Sequence, residues 1–264
     1  MVLRSAVSDI ALFEEIIRLG QQGCPSVLVT VIESIGSSPR KVGAKMLVRS
    51  DRSIMGSIGG GGVELEVIAA ALTALQNGKP QMMKFNLASD HGYVCGGSMR
   101  VYLEPNKIES RLVIMGAGHV GSALTALARF AGFNVTVIDD RQEYACPELL
   151  PEANAIIVAQ PLEALSQIDV HPATAIVIAT PGFEQDFDAV CSALKTAAGY
   201  IGLIGSQRKK KVLVEALTRE GFSVDDIARI KIPVGLAINA ETPEEIAVSI
   251  VAQLIGFRNG NAWK

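Results

Sequence analysis

Gly116, Gly118 and Gly121 form a G-x-G-x-x-G run directly after the apolar stretch RLVIM. The run opens an Ala- and Leu-rich segment, and a second apolar stretch, NVTVID, ends at Asp139. An acid about 20 residues beyond the middle glycine completes a dinucleotide-binding spacing. Glycines let the backbone approach a pyrophosphate, and the next helix offers N–H groups and a positive dipole. Asp139 is then expected to accept from a ribose hydroxyl. Arg141 is placed either to meet a 2′-phosphate or to stand as an exposed loop charge, and His119 lies inside the loop. The same glycines also suit close helix–strand packing without a ligand.

A second glycine run, Gly59, Gly60, Gly61 and Gly62, leads into Val63 and Glu64 and reads as an anion nest at a helix start. A strained strand-to-helix turn is the alternative. Upstream lies a turn-rich loop with Ser37, Ser38, Pro39 and Arg40. Cys95, Gly96 and Gly97 place a thiol among exposed N–H groups, which favours a thiolate; a small buried apolar side chain is the other reading. Asp90, His91 and Cys95 match no zinc spacing. Ser206 to Lys211 begin a helix with Arg208 and three lysines. Positive charge there opposes the dipole unless an anion sits nearby, so Ser206 and Arg208 are candidate phosphate contacts, or part of a solvated face.

Hydride-transfer chemistry needs an acid–base group, and none stands out. No tyrosine is followed four residues later by lysine, and no His–carboxylate pair accompanies His91, His119 or His171.

The surrounding pattern must position these loops. A helix is expected over residues 8–20, capped by Ser8, with Ile10, Phe13 and Ile17 near one face. Strands are expected at 26–33, 45–49, 81–88 and 98–104, with a helix after the second glycine run ending at Gly78. Beyond 105–110 the pattern becomes regular strand–helix alternation. Strands fall at 111–115, 134–139, 155–159, 174–179 and 200–205, and helices near 119–131, 185–198 and 207–220. A last helix starts from Thr242, Pro243 and Glu245, a T-x-x-E capping box. The expected fold class is α/β: a Rossmann-like, doubly wound parallel sheet over 109–264, preceded by a smaller α+β domain over 1–108.

Composition agrees with that class. Hydrophobic residues make up 49% and aromatics 5%, a Val/Ile/Leu/Ala core suited to a sheet buried on both faces. The 264 residues carry a net charge of −3, unlike a nucleic-acid binder, so no nucleic-acid partner is expected. No stretch reaches the roughly 20 apolar residues of a spanning helix, so no membrane partner is expected. Without a visible leader, the four cysteines read as free thiols and the compartment as cytoplasm.

Taken together, the motifs resemble the XdhC–CoxI family over nearly the whole chain. They are S-S-P-R-x-x-G from Ser37 to Gly43, the glycine block from Gly56 to Glu64, C-G-G at Cys95, G-A-G-H-V at Gly116 and D-D-R at Asp139. I-G-L-I-G-S at Ile201, P-V-G-L at Pro233 and A-E-T-P-E-E-I-A-V-S-I at Ala240 continue the series. The resemblance implies maturation of a molybdenum hydroxylase such as xanthine dehydrogenase. That role comprises binding the molybdenum–pterin cofactor, assisting its sulfuration and inserting it. A cysteine desulfurase is a further association of that role, and Cys95 is the remaining candidate near the metal. NAD(P) or another nucleotide is expected in the Rossmann loop from its glycine fingerprint, and a homodimer as a common state for such sheets. Two positions depart from the family pattern. Gly62 stands where many members have cysteine, and Ala237 and Asn239 alter the common L-D-I-G-A. An NAD(P)-dependent oxidoreductase and a non-catalytic nucleotide-sensing docking protein are the rival expectations.

Overall fold

A computed structural model describes residues 7–36, 38–87, 97–106 and 108–260. The chain divides into two compact units, Met1–Ile108 and Glu109–Lys264.

The first unit is built on an antiparallel sheet. Strands β1 (Ser26–Gly36), β2 (Lys45–Arg49), β3 (Ile54–Gly56), β4 (Gln81–Asn86) and β5 (Gly97–Pro105) lie in the order β3-β2-β1-β5-β4. The short β3 has no counterpart among the expected strands. Alternation along β1 and β2 sends Val27, Val29, Val31, Met46 and Val48 to one face, where helix α2 (Gly61–Asn77) covers them with Val63, Val67 and Ala71. Leu47 points the other way, onto Leu12 and Leu19 of helix α1 (Asp9–Gln21). Ser8 caps α1 as expected, its hydroxyl accepting from Ala11 N at 3.2 Å. The buried face, however, is not the expected one. Ile10, Phe13 and Ile17 are exposed. Helical periodicity alone does not say which of two apolar stripes meets the sheet.

The second unit carries strands β6 (Arg111–Met115), β7 (Asn134–Asp139), β8 (Ala155–Val158), β9 (Thr174–Ile178), β10 (Tyr200–Leu203) and β11 (Ile230–Lys231). All its pairings are parallel, in the order β11-β10-β9-β6-β7-β8. Numbered from β6, this is the 3-2-1-4-5-6 order of the doubly wound Rossmann fold, with its switch point between β6 and β9. Both sheet faces are buried. Leu112 and Ile114 face helices α3 (His119–Phe130) and α8 (Pro243–Arg258), through Leu124, Ala128, Ile250 and Leu254. Val113 and Met115 face α5 (Phe183–Leu194) and α6 (Gln207–Arg219), through Val190, Leu194, Leu213 and Leu217. Each such side chain withdrawn from water contributes about 1.5–3 kcal/mol. The capping box of α8 is formed: Thr242 Oγ1 accepts from Glu245 N at 3.2 Å, and Glu245 Oε2 accepts from Thr242 N at 3.2 Å. The short helices α4 (Pro161–Ala164) and α7 (Val224–Ala228) complete the unit.

Among the described residues, no helix is long and apolar enough to cross a membrane. Cys24, Cys146 and Cys191 are free thiols, and burial pushes the Cys191 thiol up to about 11.

Candidate functional sites on each unit

At the carboxyl edge of the parallel sheet, the three glycines do two different jobs. A Cβ on Gly116 would lie 2.3 Å from Ala179 O, and one on Gly121 would lie 1.9 Å from Gly116 O. These two glycines let strand, loop and helix pass within backbone distance. Gly118 is different: a Cβ there would meet nothing within 4 Å. It is the N-cap of α3 and offers no side-chain cap. A bare helix start facing open space suits a pyrophosphate. His119 is exposed in the same first turn.

Asp139 is engaged within the chain. Its Oδ2 accepts from Ala117 N at 2.7 Å and Arg141 Nη2 at 2.9 Å. Its Oδ1 accepts from Arg141 N at 3.0 Å and Arg141 Nε at 2.9 Å. Burial opposes ionisation here, but the Arg141 and Ala117 bonds outweigh it and hold the carboxyl below its usual range. Arg141 is correspondingly not a free loop charge. Its guanidinium is bidentate on Asp139 and stacks 4.0 Å above the Tyr144 ring. The pair pins the glycine loop to the end of β7.

The neighbouring Asp140 occupies the cleft itself, which is lined by Gly116, Asp139, Asp140, Ala159, Thr180 and Gln185 among others. Asp140 Oδ2 accepts from Gln160 Nε2 at 3.2 Å and from Gln185 Nε2 at 3.4 Å. This bridge ties the end of β7 to the segment after β8 and to the first turn of α5, and the cavity that Asp140 and Gln185 line is about 10 Å³, room for about one water. Sequence reading missed Asp140 because its neighbour matched the spacing equally well.

The basic start of α6 has an anion after all, supplied by the chain. Lys209 Nζ pairs with Asp186 Oδ2 and donates to Ile204 O at 3.2 Å. The Thr180 hydroxyl donates to Asp186 Oδ1 at 2.5 Å. Burial pushes Asp186 above its ordinary value, and the Lys209 and Thr180 bonds only partly oppose it. Ser206 caps α6 by accepting from Lys209 N at 3.2 Å, and Arg208 is exposed. The signal for Asp186 was the dipole conflict itself, an acid being required somewhere opposite the lysines.

On the first unit, the second glycine run forms the turn into α2. Gly59, Gly60 and Gly61 have φ of +146°, +84° and +63°, which favour glycine. Gly59 packs under Pro39, whose Cγ would lie 2.6 Å from an added Cβ. A Cβ on Gly60 would meet nothing within 4 Å, and α2 has no side-chain cap. Gly62 follows in the first turn. Buried Glu64 holds the turn from inside: its Oε1 accepts from the Ser57 hydroxyl at 2.6 Å and from Ile58 N at 3.1 Å. Glu64 thus shapes the nest. Ser38 Oγ donates to Arg40 O at 2.9 Å, closing a turn that leaves the Arg40 side chain exposed. Pro39 therefore joins the Ser38–Arg40 loop to the glycine run. Gly97 begins β5, opposite Gly36. Ser37, Asp90, His91, Cys95 and Gly96 lie outside the described residues. Among the described residues no group of three His, Cys, Asp or Glu side chains gathers as metal ligands.

These observations define a two-unit α/β protein whose second unit is a Rossmann domain with a bare glycine loop. The chain belongs to the XdhC and CoxI family: residues 112–254 match the XdhC Rossmann domain, and residues 19–86 match the XdhC and CoxI family. It is 38% identical to the uncharacterized protein YqeB of Escherichia coli K12, over 94% of this chain and 46% of that protein. It thus spans about half the length of that relative. It is 24% identical to the molybdenum cofactor insertion chaperone PaoD of the same organism, over 89% of this chain and 84% of PaoD. Among solved structures, it is similar to a xanthine dehydrogenase from Bacillus halodurans, with a TM-score of 0.53 and 25% identity over 97% of both chains.

Proposed function

We propose that this protein is an accessory factor in molybdenum-cofactor maturation, holding the molybdenum–pterin cofactor for a hydroxylase of the xanthine dehydrogenase type. The carrying observation is the nest on the first unit. Residues of two separate family motifs meet there through Pro39 and Gly59, at an α2 start without a side-chain cap. The names of PaoD and of the Bacillus halodurans structure support the same reading.

In this reading the glycine turn, with Gly59 N held on the Ser57 hydroxyl at 3.2 Å, presents the N–H groups of Gly61 and Gly62 and the α2 dipole to the phosphate end of the cofactor. Arg40, exposed at the rim, adds a cation that can pair bidentately with phosphate. Glu64 keeps Ser57 and Ile58 in place and acts as a positioning residue. The cofactor carries its metal on its own pterin sulfurs, so the protein's part is to orient and shield. Cys95 is proposed to lie near the metal or its sulfur during sulfuration, where a cysteine desulfurase would deliver. The glycine loop of the second unit is proposed to hold a nucleotide, either free or as a dinucleotide tail of the pterin. A homodimer is the proposed assembly.

The test is purification from cells that make the molybdenum cofactor, followed by oxidised-pterin fluorescence and molybdenum determination. Near-stoichiometric pterin, reduced by Arg40→Ala and by Cys95→Ser in folded protein, supports the reading. A pterin-free protein that fails to activate any molybdenum hydroxylase overturns it.

A further inference from the structure

We propose that Asp140, rather than Asp139, reads the sugar of the nucleotide on the second unit, and that its ligand is a ribonucleoside diphosphate with a free 2′,3′-diol. The inference rests on the nucleotide reading of the Gly118 loop and assigns that site its ligand class.

Three observations converge. First, the acid that spacing selects is consumed. All four hydrogen bonds to Asp139 come from Ala117 and Arg141, and only 2% of its side chain is exposed. A ribose would have to break the clamp that anchors the glycine loop. Second, Asp140 lies one residue on, at the same strand end, and lines the cleft with Gly116 and Thr180. Its partners are two neutral amide donors, Gln160 and Gln185, at 3.2 and 3.4 Å. Hydroxyls of a vicinal diol are donors of the same kind and can take their place without a change of charge. Third, Arg141 is held on Asp139 and over the Tyr144 ring and is not directed to a 2′-phosphate. A 2′-phosphate would instead meet the Asp140 carboxylate, charge against like charge.

The cavity that Asp140 and Gln185 line holds only about 10 Å³, so a sugar enters by displacing side chains. The bridge parts as the sugar enters, and both amides are released to solvent. A site built to bond a hydroxyl disfavours the analogue that lacks it, because the half-exposed Asp140 carboxylate then gains no donor from the sugar.

The experiment is calorimetric titration of the full chain with ADP, GDP, CDP and NAD⁺, then with 2′-deoxy-ADP and NADP⁺. At least one of the first four is expected to bind, with the 2′-deoxy and 2′-phosphate forms weaker by about tenfold or more. Asp140→Ala should weaken the ribonucleotide about tenfold and bring the ribo and deoxy forms to equal affinity. Asp140→Asn, which keeps one acceptor oxygen, should fall between. The double variant Gln160→Ala/Gln185→Ala should bind the ribonucleotide at least as tightly as the parent, since no bridge must open. Equal affinity for ribo and deoxy forms in the parent, or discrimination that survives Asp140→Ala in folded protein, overturns the assignment while leaving the nucleotide reading intact. If none of the first four binds at millimolar concentration, the nucleotide reading itself fails and the assignment falls with it.

Discussion

Replacing Lys209 by methionine keeps the length and apolar stem of the side chain and removes the charge facing Asp186. Only 1% of the Asp186 side chain is exposed, so the carboxylate left behind has no water to turn to. An uncompensated buried charge costs about 3–5 kcal/mol. Asp186 can escape by taking a proton. At pH 7 that costs 7 − 3.8 = 3.2 pH units against its ordinary value, at 1.36 kcal/mol per unit, or about 4.4 kcal/mol. Protonation therefore caps the penalty, and Lys209→Met should lose roughly 3–4 kcal/mol at pH 7. The pH dependence follows. Burial already holds Asp186 above 3.8 in the folded protein, and loss of Lys209 raises it further. The folded state then binds more protons than the unfolded one. Stability relative to the parent is best below pH 3.8 and declines as pH rises towards the folded-state value, by up to about 1.36 kcal/mol per unit. Urea unfolding followed by circular dichroism at pH 5, 6 and 7.5 measures this. Hydrogen exchange of α5 and α6 peptides assigns the transition to the second unit. The double variant Asp186→Asn/Lys209→Met should recover most of the loss, because a neutral amide can still accept from Thr180. A loss below about 1 kcal/mol at pH 7, equal losses at pH 5 and 7.5, or no recovery in the double variant would show that Lys209 does not neutralise a buried Asp186 charge.

Gly118→Ala should fold with stability within about 0.5 kcal/mol of the parent, since its Cβ enters open space, yet lose nucleotide affinity in titration calorimetry. Gly121→Ala forces a Cβ to 1.9 Å from Gly116 O and should destabilise by about 2 kcal/mol or more in urea melts. Glu64→Ala removes the acceptor for Ser57 and Ile58 and should cost about 1–3 kcal/mol; raised hydrogen exchange confined to residues 57–64 would show it. Glu15 is held down to about 2, first by its bond from Arg18 and then by Arg49. Its contribution is complete above about 4.5 and disappears as pH falls towards 2, so Glu15→Gln should flatten the acid limb of a stability–pH curve over that window.

The Rossmann unit was readable from sequence because its signals are local. A parallel sheet buried on both faces demands continuous apolar runs such as RLVIM and TAIVIA. Turn and cap residues mark the helices between, down to the Thr242–Glu245 box on α8. The glycine fingerprint and the family resemblance follow from the same short-range pattern. What local pattern could not supply was which side chains are spent on one another. Asp139 and Asp140 are equivalent in spacing, and only the packed loop shows the first clamped by Arg141 and the second facing the cleft. The lysines of α6 announce a missing anion, but Asp186 lies on another helix and reaches Lys209 only when β9 and β10 pair. On α1, two apolar stripes compete and the sheet takes Leu12 and Leu19. Periodicity specifies elements because backbone hydrogen bonding repeats over a few residues. A binding site is made by side chains distant in sequence, and its donors and acceptors are allotted only when the chain has closed around them.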